Sequence, residues 1–127
     1  MNIYWVDSLD HGEDWFVAAN SMHEAMKFFA LDMGYDLVGD EIKATEVCAV
    51  PGNVSIPETQ FLDEDQISAC GGELLRYDDK DLLEVVDQSV LDQLGVETRM
   101  VRFDNKVFIE GNVARAALQT LKSEILP

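Results

Sequence analysis

A chain of 127 residues with 25 Asp and Glu against 9 Lys and Arg carries a net charge of −16. At 47% hydrophobic residues it is too apolar for a disordered acidic tail, and a folded chain of this length buries roughly two-thirds of its unfolded surface, so one globular domain over 1–127 is expected. The charge argues against direct binding to DNA, RNA or anionic lipid, because a polyanion repels them before local contacts form.

Residues 2–7 and 14–19 are rich in aromatic and β-branched side chains and flank the polar stretch Ser8-Leu9-Asp10-His11-Gly12-Glu13, which predicts a hairpin with a longer loop. Ser21 with Glu24 three residues on has the capping-box pattern, and Met22, Ala25, Met26, Phe29 and Met33 fall on one face before Gly34, which predicts a helix over 21–33. Ile42, Ala44, Val47, Cys48 and Val50 predict a strand over 42–50, closed by the turn residues Pro51-Gly52-Asn53. The first fifty residues thus read as a β-β-α-β unit.

Residues 51–95 form an acidic, loop-rich and helical stretch. Pro51, Pro57, Gly71 and Gly72 interrupt it, and only 63–70 has room for a short helix, capped by Asp63. A short strand is expected over 73–77 and a helix over about 79–94, with the apolar stripe Leu83, Val86, Val90 and Leu94 ended by Gly95. Residues 96–127 read as a β-β-α unit. Strands over 97–103 and 106–110 meet at an Asp104-Asn105 turn, because both residue types tolerate positive φ. That register sets Val101 against Phe108, Met100 against Ile109 and Arg99 against Glu110. Asn112 then caps a helix with the face Ala114, Ala117, Leu118, Leu121 and Ile125. The sum is an α+β fold: an antiparallel sheet from two hairpins, with one or two further strands and about three helices packed on it. An isolated hairpin is marginal, which favours joining both into one sheet.

The charge is unevenly laid out. Residues 1–50 hold 10 acids and 2 bases, 51–95 hold 11 and 2, and 96–127 hold 4 and 5. Asp81, Glu84, Asp87 and Asp92 run along the predicted 79–94 helix away from its apolar stripe. Asp36, Asp40, Glu41, Asp63, Glu64 and Asp65, in predicted loops or caps, extend that row. A duplex carries one charge per about 1.7 Å, so the −17 of residues 1–95 equals about 29 Å of DNA if gathered on one side. A compact chain of this length is roughly 35 Å across. These ten carboxylates are the candidate binding face, and the partner they imply is a basic protein, for instance a nuclease or another nucleic-acid-binding protein. Anti-restriction and anti-CRISPR inhibitors are comparable in charge and size alone.

Competing readings are weaker in sequence. Asp10, His11 and Glu13, beside Asp7 and Asp14, could offer oxygen and imidazole ligands to a divalent cation, but their spacing matches no EF-hand, and no metal or other cofactor is expected. With His11 and His23 the only histidines and no Gly-x-Ser-x-Gly, His-Glu-x-x-His or phosphate-loop pattern, the chain reads as non-enzymatic. A strand position predicts Cys48 to be a buried inert thiol, and the Gly71-Gly72 that follows predicts Cys70 to be more exposed. Two cysteines are too few for a disulfide scaffold, no apolar run approaches the roughly 18–20 residues of a membrane span, and the start lacks a basic signal region, so a cytoplasmic protein is expected. An interaction domain working through an apolar patch or a sheet edge is the alternative binding class.

Overall fold

The computed structural model describes residues 1–8, 13–36, 41–75, 99–104 and 106–109. The chain divides into two compact units, Met1–Cys70 and Gly71–Pro127.

In the first unit β1 (Asn2–Ser8) and β2 (Glu13–Ala19) pair antiparallel, with Trp5 opposite Phe16 and Tyr4 opposite Val17. The expected hairpin forms because nine of the fourteen strand residues are apolar and are buried on both faces. Tyr4, Val6, Val17 and Ala19 join Ala25 and Phe29 of helix α1 (Met22–Met33) and Ala44 of β3 (Ile42–Ala49) in one core cluster. On the opposite face Ile3, Trp5, Phe16 and Ala18 are at most 2% exposed. Trp5 and Phe16 meet edge to face with ring centroids 4.7 Å apart, a geometry worth about 0.5–1.5 kcal/mol beyond area burial.

Helix α1 starts and stops where its residues dictate. The Ser21 hydroxyl accepts from the Glu24 backbone N–H at 3.1 Å, and Gly34 takes the left-handed conformation at φ 76° that a side chain disfavours. Only half of the expected capping box is used for capping, since the Glu24 carboxylate accepts a hydrogen bond from the Thr59 hydroxyl and so fastens the segment before β4 to the helix.

The four-stranded sheet has the order β3-β1-β2-β4, where β4 is the two-residue Gln60–Phe61. The β1–β3 ladder shifts register between Ile3 and Tyr4, which face Cys48 and Glu46, so Val47 is the extra residue of a bulge. Leu62 continues β4: its N–H donates to the Phe16 carbonyl at 3.2 Å, and its own carbonyl accepts from the Trp15 indole at 2.7 Å. Replacement Trp15→Phe leaves that carbonyl, on a residue only 2% exposed, without its donor. A loss of about 1–3 kcal/mol is expected in urea unfolding, and a change below 0.5 kcal/mol would show that the bond contributes nothing.

Helix α2 (Glu64–Ala69) follows, capped by Asp63 as expected, and Gln66 completes a capping box. The Asp63 carboxylate accepts from Gln66 N–H at 2.8 Å, and Gln66 Oε1 accepts from Asp63 N–H at 2.9 Å.

The second unit contains a separate three-stranded sheet, β5 (Glu73–Leu75), β6 (Met100–Phe103) and β7 (Lys106–Ile109), in that order. Met100 faces Ile109 and Val101 faces Phe108, the register set by a two-residue turn, and Asp104 holds φ 54° as that turn requires. The two hairpins do not join into one sheet. Each finds its extra strands elsewhere: β3 and β4 take the two edges of the first hairpin, and β5 takes the free edge of β6. The α+β class and the antiparallel pairing stand, but the described residues hold two helices rather than about three. The helices expected over 79–94 and after Asn112, together with Glu110 opposite Arg99, lie outside the described residues.

Candidate functional site

The first unit, residues 1–70, holds 14 acidic and 2 basic residues, a net −12. Its exposed carboxylates include Asp32, Asp36, Glu41, Glu46, Glu58, Asp63, Glu64 and Asp65. Four of these sit on one fastened segment. Gln66 Nε2 on α2 donates to Gln60 Oε1 at 3.3 Å, and Gln60 Nε2 donates to the Glu58 carbonyl at 3.2 Å, so side-chain amides tie Glu58 to the first turn of α2 with Asp63, Glu64 and Asp65. The segment is in turn hydrogen-bonded to β2 through Gln60 and Phe61, and to α1 through Thr59 and Glu24. Acidic groups in the first helical turn also oppose the positive end of the helix dipole, so Glu64 and Asp65 are placed at little cost to folding.

Of the ten carboxylates in the expected binding face, Asp36, Glu41, Asp63, Glu64 and Asp65 are described and exposed. Asp63 has a structural duty as cap. Asp40, Asp81, Glu84, Asp87 and Asp92 lie outside the described residues. The exposed positions of α1 are mixed rather than uniformly acidic, with His23, Lys27 and Leu31 beside Asp32.

The weak metal candidates fare differently. Asp10 and His11 lie outside the described residues, and Glu13 opens β2 opposite Ser8. Their neighbours Asp7 and Asp14 face each other directly across the hairpin and are only 8% and 4% exposed. Lys43 faces Asp7 from β3, so a cation and two carboxylates occupy one row across three strands. Opposed residues in such a ladder have Cβ atoms about 4.5–5.5 Å apart, and like charges there repel. Asp7 and Asp14 end the two expected strands and flank the polar loop, and the pairing of those strands withdraws both carboxylates from the surface, away from any ligand set in that loop. Among the described residues no three His, Cys, Asp or Glu side chains converge as metal ligands.

Both cysteines are free thiols, and their exposure is the reverse of the sequence expectation. Cys48 follows the Val47 bulge on the edge strand β3 and is half-buried, whereas Cys70 closes α2, with its N–H on the Gln66 carbonyl, and is 7% exposed. Burial pushes the Cys70 thiol up from its ordinary pKa. That preference for the neutral thiol stabilises the fold below the ordinary thiol range and is lost as pH rises through the raised value. Alkylation by iodoacetamide at pH 8 is therefore expected to modify Cys70 at least tenfold more slowly than Cys48, read by peptide mass mapping; equal rates would contradict its burial.

No known protein family, curated protein or solved structure matches this chain. Its functional reading rests on its own residues. Among the described residues no helix is long and apolar enough to cross a membrane.

Proposed function

We propose that this chain is an acidic, non-enzymatic binding protein that presents the carboxylates of its first unit to a basic groove on a nucleic-acid-handling protein and competes there with nucleic acid. The observation that carries this reading is the net −12 on 70 residues together with the solvent exposure of eight carboxylates among the described residues of the unit. Twelve charges correspond to about 20 Å of duplex, and a compact 70-residue unit is roughly 28 Å across, so charge gathered on one side would reach about 70% of the linear charge density of DNA. The fastened Glu58–Asp65 stretch supports the same reading, because a segment whose backbone is already held loses less freedom on docking than a free loop does.

The test is displacement of a fluorescent 20-bp duplex from a panel of basic nucleases, including restriction and CRISPR effector enzymes. Displacement from at least one enzyme is expected, weakening tenfold or more between about 50 and 200 mM salt. Displacement insensitive to salt, or none from any enzyme in the panel, would overturn the reading.

A further inference from the structure

We infer that β3 is the strand onto which the partner adds an extended, basic segment, making a fifth strand of the first sheet. This deepens the reading above and rests on it for the sign of the partner's charge. Strand β3 ends the β3-β1-β2-β4 order, and among the described residues it pairs only with β1. A terminal strand keeps one row of backbone N–H and C=O groups for a further strand. The two edges of this sheet are unequal: β4 is two residues long and continues into Leu62 and the cap of α2, while β3 runs for eight residues, about 26 Å. Solvent reaches β3 along its length, with Lys43, Thr45, Glu46 and Ala49 exposed, although its inner neighbour β1 is buried from Ile3 to Ser8.

The features of this edge also select its occupant. The Val47 bulge breaks the ladder near one end and leaves 42–46 as the regular stretch for pairing. A second copy of the chain is disfavoured, since edge-to-edge pairing would bring together two units of −12 each. The same charge attracts a cationic strand, and the exposed Glu46 on β3, which also accepts a hydrogen bond from Asn2 Nδ2 at 2.9 Å, adds to it locally. The partner segment is therefore an extended peptide rich in Lys or Arg, whose backbone supplies pairing and whose charge supplies attraction.

The full chain is mixed with three decapeptides, and hydrogen exchange is followed by mass spectrometry: alternating Lys-Val, the same sequence N-methylated at every backbone amide, and alternating Thr-Val. The Lys-Val peptide is expected to slow exchange within Ile42–Ala49 at least tenfold, and the other two to leave it unchanged. Equal binding of both Lys-Val forms without protection of β3 would overturn the edge inference and leave the acidic-surface reading standing. Equal protection by Thr-Val would overturn the basic character of the occupant. Absence of binding by any peptide would also overturn the inference, while duplex displacement decides the broader reading independently.

Discussion

Phe16→Ala is expected to lower the unfolding free energy by about 3–5 kcal/mol. Phe16 is fully buried, lies opposite Trp5 with ring centroids 4.7 Å apart, and has the Trp15 ring at 5.4 Å. Truncation removes both edge-to-face contacts and leaves a cavity whose walls cannot readily collapse. Trp15 is tethered through its indole N–H to the Leu62 carbonyl, and β2 is held on one side by β1 and on the other by β4. Domain stabilities run at roughly 0.05–0.15 kcal/mol per residue, about 3.5–10.5 kcal/mol for a unit of 70 residues, so a loss of this size is a large share of the total. Leu31→Ala, at a site 72% exposed on α1, is the contrasting substitution and should stay within about 0.5 kcal/mol of the parent. Urea unfolding followed by tryptophan fluorescence measures both. A loss below about 1 kcal/mol at Phe16 would mean that the buried second face of the hairpin is not packed as described.

The second large effect is on binding. The triple substitution Glu58→Gln, Glu64→Gln, Asp65→Asn keeps side-chain size and hydrogen-bonding capacity and removes three of the twelve net charges of the first unit. Asp63 is left in place because its carboxylate caps α2. If each neutralised charge contributes about 0.5 kcal/mol to docking on a basic groove, duplex displacement weakens about tenfold at low salt and its salt dependence becomes shallower. Stability should fall by no more than about 1 kcal/mol, the loss of favourable dipole interactions at the start of α2. Unchanged displacement with unchanged stability would remove the β4–α2 segment from the interface.

The two predictions draw on features of different legibility. Phe16 and its strand are visible in the run 14–19, and the cap and stop of α1 follow from Ser21 and Gly34, because such choices are made by neighbours within one turn or one strand. The β6–β7 register is equally local, fixed by the two-residue turn at Asp104. Asp63 could be read as a cap, but its reciprocal bond with Gln66 required the Asp-x-x-Gln spacing to be weighed as a capping box. The fastened acidic segment was hidden, since Gln60 and Gln66 are six residues apart on different elements and neither carries charge.

The sequence by itself determined the acidity of the chain, its α+β character, the two hairpins and the ends of the first two helices. Tertiary structure alone decided that the hairpins belong to separate sheets, that a dipeptide at Gln60–Phe61 serves as a strand, that Asp7 and Asp14 are buried face to face, and that Cys70 rather than Cys48 is the more buried thiol. The physical reason is range. Caps, turns and hairpin registers are settled by hydrogen bonds and sterics between residues close in sequence, whereas strand order and burial depend on which distant segment occupies a free edge or face, and no local pattern encodes that choice.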